Sequence, residues 1–183
     1  MFKKIIVLYF ISAFNSILFA QVQPLMVTQW GQNCYYNDYL PKMPNSIACD
    51  KAFVGCFAVA WAQIFAYYQF PKTPNALNYS ELKNTSYIYS DMPQKVKTKN
   101  SEVAKLMYHI GLVSQTQWNN KNSITDFDAK PIVTHFNYRE SIKTIDLKEL
   151  TINQQIKIIK NELDNKRPVF VKNDFHYYVI DGY

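Results

Sequence analysis

The sequence has no Lys/Arg cluster longer than a pair, although its formal net charge is +6. That excludes the basic stripe of a nucleic-acid binder. It has no Cys-x-x-Cys and no His-x-x-x-His, and its three cysteines and three histidines are scattered. No metal site is therefore expected, and no cofactor motif stands out. Glycine is scarce, at four of 183 residues, while tyrosine reaches fourteen. Such a chain is poor in flexible linkers and rich in side chains that pack or face an extracellular medium. A single long apolar run occurs, at the N-terminus. Lys3 and Lys4 precede Ile5 to Phe14, and Leu18-Phe19-Ala20 offers a small residue for cleavage. Ser12, Asn15 and Ser16 make the run too broken for a membrane anchor, so residues 1–20 read as a secretory signal peptide. The mature chain would start near Gln21, keep no membrane segment and carry a mild +4 after loss of the two leader lysines. At 48% hydrophobic and 16% aromatic residues, 21–183 suits one globular domain with a real core.

The stretch that organises the rest is Val54 to Pro71, V-G-C-F-A-V-A-W-A-Q-I-F-A-Y-Y-Q-F-P. Phe57, Trp61, Ile64, Phe65 and Tyr68 fall at helical spacing, and four alanines let neighbours approach closely. Gly55 frees the backbone just before the helix, and Pro71 stops it. Cys56 thus sits at a first helical turn, where partial positive charge and unpaired N–H groups favour a thiolate. Taken alone, such a cysteine is either a reactive nucleophile or a small buried hydrophobe.

Further on, residues 71–99 are polar and read as loops and short turns. Asn100-Ser101 can cap a second helix whose stripe is Val103, Leu106, Met107 and Ile110, with Gly111 as its stop. His109 lies at the edge of that stripe and reads as structural. Ser123 to Tyr138 looks helical, broken near Pro131, and His135 within it has no partner motif. Thr151-Ile-Asn-Gln154 is a capping box for a helix with Ile152, Ile156, Ile159 and Leu163 on its buried face. Val169-Phe170-Val171 and Tyr177 to Ile180 read as strands joined by a turn at Asn173-Asp174.

Three stretches, in order, resemble the streptopain family (peptidase family C10) of secreted bacterial papain-like cysteine proteases. G-C-F-A-V-A-W-A-Q-I-F-A-Y-Y-Q-F-P is similar to the family's G-C-V-A-T-A-x-A-Q-I-x-x-Y-x-x-Y-P. The matches are Gly55, Cys56, Ala58, Ala60, Ala62, Gln63, Ile64, Tyr67 and Pro71. Upstream, W-G-Q-N-C-Y-Y-N (Trp30 to Asn37) is similar to W-x-Q-G-x-P-Y-N. Downstream, R-P-V-F-V followed by F-H-Y-Y-V-I-D-G-Y (Arg167 to Tyr183) is similar to R-P-V and G-H-A-F-V-x-D-G-Y.

The resemblance implies an α+β papain-like fold, a helical half carrying the nucleophile and an antiparallel sheet half carrying its base. It implies Cys56 as nucleophile, His176 as general base and acid, and Gln32 as a side-chain donor to the oxyanion hole, with the Cys56 N–H as second donor. Cys56 and His176 are 120 positions apart, so only the fold can bring them together. Substrates would be proteins or peptides, and the oligomeric state stays open. In an exported chain, three cysteines suggest one disulfide and one free thiol, and the pairing that leaves Cys56 free is Cys34–Cys49. The departures are Asn33, Tyr35 and Phe175, which stand where the family has glycine, proline and glycine. Phe175 is expected to crowd the approach to His176.

Past D-G-Y the family continues with an N-W-G-W-G-type strand that orients or shields the histidine, and Tyr183 ends this sequence before it. The reading is therefore of a C-terminally incomplete peptidase domain with an open strand edge. Nor is there room between Ala20 and Trp30 for a long pro-segment. Two functions compete. One is an exported endopeptidase working through a Cys–His acyl-enzyme. The other is a catalytically inactive relative that binds a protein or peptide in the same cleft. A different Cys–His acyl-transferase, amidase- or transglutaminase-like, is disfavoured by the G-C-x-A-x-A-x-A-Q context.

Overall fold

Helix α1, Cys56–Tyr68, runs through the middle of the molecule and is buried along most of its length. The computed structural model describes residues 22–99, 101–139 and 142–183. The leader at 1–20 and the cap at Asn100 lie outside the described residues. A helix apolar all round must be surrounded, and α1 is. Phe57, Ala58, Val59, Ala60, Trp61, Ala62, Ile64 and Phe65 are all buried, whereas Tyr68 at the last turn is 43% exposed. The left-handed Gln69 ends the helix by donating its N–H to the Ala66 and Phe65 carbonyls, two residues before Pro71.

Helix α2, Ser101–Val113, lies against α1 through Val103, Leu106, Met107 and Ile110, all fully buried. It continues through Gly111, which is no stop. A Cβ there would meet the Trp118 ring at 3.2 Å, so the glycine serves a close approach. The left-handed conformation that follows the helix falls on Gln115 instead. The stretch from Ser123 to Tyr138 is helical only over α3, Lys130–Phe136. Pro131 stands in its first turn, where proline's missing N–H costs nothing, so it begins a helix instead of breaking one. Before it, Gln117 and Ile124 pair as an antiparallel bridge.

Helix α4, Ile152–Asp164, has the expected Thr151/Gln154 capping box. Its isoleucine stripe is buried only toward the C-terminal end. Leu163 is fully buried, but Ile152 is 66% and Ile156 45% exposed, because α4 meets β1 and nothing described covers its first turns. Strands β1, Val169–Lys172, and β2, Tyr177–Ile180, form an antiparallel hairpin with Val169 opposite Ile180 and Lys172 opposite Tyr177.

Aromatic rings tie the hairpin to α1. Phe57 meets Tyr177 edge-on at 5.2 Å and Phe170 at 5.6 Å, and Trp61 stacks on Phe170 at 4.7 Å. Each such pair contributes about 0.5–1.5 kcal/mol beyond its buried area. The N-terminal segment closes the far end. Val22 exchanges both backbone hydrogen bonds with Tyr183, and Leu25 donates to the Asp181 carbonyl. Gly182 permits this, since a Cβ there would stand 2.9 Å from the Val22 carbonyl oxygen.

Both other histidines are structural. His135 Nδ1 lies 3.0 Å from the Asn75 carbonyl. His109 Nδ1 lies 2.8 Å from the buried Tyr87 hydroxyl. Burial, reinforced by the Lys105 ammonium and opposed by Glu81, pulls the His109 imidazole down to about 4. The folded state therefore refuses a proton that the unfolded chain accepts below about 6.5. We expect stability to fall by about 2 kcal/mol from this residue between pH 7 and 4.5. Urea unfolding of His109→Gln, which can still bond Tyr87, should show that much less loss over the same range. Equal losses in the two proteins would contradict it.

Candidate active site

The chain enters α1 through a backbone that only glycine adopts readily. Gly55 has φ +93° and ψ 135°, which turns Cys56 into the first residue of the helix. A Cβ on Gly55 would also lie 3.5 Å from Ser123. The preceding residues are fixed: Val54 N–H donates to the Gln32 carbonyl at 2.9 Å, Phe53 N–H to the Asn119 carbonyl, and the Ser123 hydroxyl to the Phe53 carbonyl at 2.6 Å. One backbone bond thus joins the Gln32 loop to the entry of α1.

The Gln32 loop is held at three further points. Trp30 Nε1–H donates to the Pro93 carbonyl at 2.8 Å. The Tyr36 hydroxyl donates to the Gln29 carbonyl and accepts from Val96 N–H. The buried Asn37 amide donates to the Ala48 and Ala52 carbonyls at 2.8 and 2.9 Å. Cys34 and Cys49 form a disulfide that closes this loop, and Cys56 is the free thiol.

His176 stands at the end of the hairpin turn, one residue before β2, and is exposed. The Asn173 side-chain oxygen accepts from its N–H at 2.7 Å and from Phe175 N–H at 3.0 Å, and Asn173 N–H donates to the His176 carbonyl. The next residue, Tyr177, is anchored by its hydroxyl on the Thr125 carbonyl at 3.0 Å. Burial raises the Tyr177 phenol above its ordinary range, with Cys56 and Asp126 adding to the shift.

These three anchored segments meet at an open cleft of about 490 Å³. Gln32, Cys56 and His176 all line it, as do Trp30, Val59 and Gln63. The expected trio is therefore brought to one place. Phe175 does not crowd it: its ring is 93% exposed and turned to solvent, and it is absent from the cleft wall. Among the described residues no group of acidic, histidine and cysteine side chains could hold a metal, and no helix is long and apolar enough to cross a membrane.

The Peptidase C10 family matches residues 30–183, which hold all three cleft segments. The chain belongs to the peptidase C10 family. Among its relatives, the thiol protease/hemagglutinin PrtT of Porphyromonas gingivalis is 24% identical, aligning 84% of this chain with 20% of its own length. Two solved structures from Prevotella intermedia share the fold. A prointerpain A fragment with a cysteine-to-alanine substitution gives a TM-score of 0.76 at 27% identity, covering 88% of this chain and 58% of that one. Active wild-type interpain A cysteine protease gives 0.74 at 26% identity, covering 88% and 77%. The chain thus spans a fifth of the curated relative it matches and little more than half of the first solved chain. Its α+β arrangement is the papain-like fold of the C10 proteases.

In this C10 domain, sequence reading missed the supports more than the cleft trio. Asn37 was visible inside W-G-Q-N-C-Y-Y-N, but its two carbonyl partners become neighbours only when the disulfide loop folds back. Asn173 was legible as a turn residue, and its bond to His176 was not. Reducing or removing the disulfide (Cys34→Ser with Cys49→Ser) should cost about 3 kcal/mol of stability for a loop of this length. It should also free the Gln32 loop, read as faster hydrogen exchange over residues 32–49. Unchanged exchange there would show that Trp30, Tyr36 and Asn37 suffice.

Proposed function

We propose that residues 21–183 form the peptidase domain of an exported cysteine endopeptidase, with Cys56 as nucleophile, His176 as general base and acid, and Gln32 in the oxyanion hole. One observation carries the reading. The free thiol stands at the first residue of α1, in the same cleft as an exposed imidazole and a side-chain amide from two other segments. The signal-like leader at residues 1–20 supports export.

The steps follow from the groups present. His176 accepts the Cys56 proton, and Sγ bonds to the scissile carbonyl carbon of an extended peptide in the cleft. The oxygen becomes negative and is met by the Gln32 amide and the Cys56 N–H, the latter among the first-turn N–H groups that no helix carbonyl can satisfy. The C–N bond breaks as His176 passes its proton to the leaving amine. Water, deprotonated by His176, then attacks the thioester. The C–S bond breaks, the acid product leaves and the thiol is restored.

A second reading has one observation in its favour. Among the described residues no side chain bonds the His176 imidazole, so none of them supplies the third group that usually orients a catalytic base. Such a protein would bind peptides without cleaving them.

Casein digestion and an epoxide-type thiol-protease probe separate the two. The peptidase should cleave casein and take one adduct on Cys56. Cys56→Ala and His176→Ala should each lose at least about 10³-fold in kcat/KM. Gln32→Ala should lose about 10²-fold in kcat. An intact, folded protein that neither cleaves nor labels would sink the peptidase reading and leave the peptide binder.

A further inference from the structure

Phe175 is a large apolar side chain left almost wholly in water next to the proposed catalytic histidine. Its ring is 93% exposed, yet it does not sit on a loose tip. Its N–H is bonded to the Asn173 side chain at 3.0 Å, and the same oxygen holds His176 N–H. The turn holds the Phe175 backbone next to His176, which lines the cleft, and leaves the ring itself free in solvent. Three residues after Phe175, the half-exposed Tyr178 lines the cleft itself. Of the charged neighbours, Asp174 pairs with Lys148 at 3.5 Å in solvent, and Lys172 keeps its charge 5.8 Å from the centre of the Tyr177 ring.

The chemistry fixes which part of a substrate passes this spot. The acyl half stays on Cys56, while His176 delivers its proton to the departing nitrogen. The residue carrying that nitrogen must therefore lie on the His176 side, within reach of what flanks it. An exposed aromatic ring there favours an apolar partner, because covering both removes apolar area from water.

We infer that Phe175 is a substrate contact on the leaving-group side, giving the enzyme a preference for a large apolar residue immediately after the scissile bond. This deepens, and rests on, the peptidase reading above.

The test uses internally quenched peptides that differ only in the residue after the scissile bond: Leu, Phe, Gly or Asp. For the wild-type chain, kcat/KM should be about tenfold higher for Leu or Phe than for Gly. Phe175→Gly should bring that ratio near one while leaving the Gly peptide within about twofold, and Phe175→Leu should keep most of the preference. No preference in the wild type, or a preference that survives Phe175→Gly, overturns the inference. Calorimetry on Cys56→Ala reads the same contact without turnover. Leaving-side product peptides with an N-terminal Leu should bind more tightly than those with Gly, and adding Phe175→Gly should abolish the gap. If the wild type cleaves nothing but the gap is present, the peptidase reading fails and the contact stands. Equal affinities overturn the contact.

Discussion

The edge-to-face contact of Phe57 on Tyr177 is the interaction on which the cleft depends. Each ring belongs to the residue that directly follows a proposed catalytic group, Cys56 on α1 and His176 before β2. Their centroids are 5.2 Å apart, and Phe170 and Trp61 close the cluster behind them. Segments 120 positions apart in sequence are thus set against each other by buried rings one residue away from Cys56 and His176. Close packing transmits small changes, so a void at Phe57 would be felt at the cleft as well as in stability.

Around that contact the Cys56 side is over-determined. Gly55 takes a φ that other residues resist, and the chain before it is pinned from three directions: by the Gln32 carbonyl, by Asn119 and by Ser123. The Gln32 loop carries a disulfide, a buried asparagine bridge and two aromatic side chains bonded to neighbouring backbone. Such redundancy suits a cleft whose polar groups must keep their geometry while facing water. The histidine side is lighter. It rests on Asn173, on the Tyr177 anchor and on the hairpin, with the imidazole itself exposed.

The C-terminal D-G-Y stretch acquires a physical meaning from the far end of the chain. Asp181 accepts from the Met26 N–H, Gly182 lets the Val22 to Pro24 backbone cross at contact distance, and the Tyr183 hydroxyl donates to Asp164 on α4. The first described residues are therefore the clasp on the last strand. Their sequence is unremarkable, because what they contribute is backbone.

Helix α1 and the hairpin were legible in the amino-acid sequence because they rest on local rules: helical spacing in 54–71, and alternation and a turn in 169–180. Gln32, Cys56 and His176 were singled out by the resemblance of three ordered motifs, and the fold places all three on one cleft. Where the reading failed, the surroundings decided. Position 111 is glycine inside a helix because Trp118 occupies the space of a side chain, Pro131 stands in the first turn of α3, where its missing N–H costs nothing, and Ile152 and Ile156 stay exposed because nothing described covers that end of α4. Phe175 stands in solvent on a turn whose backbone Asn173 holds. The sequence by itself determined which groups could do chemistry and which elements carry them. Only the tertiary structure decided which side chains face one another, because contacts between segments far apart in the chain leave no periodic mark in either one.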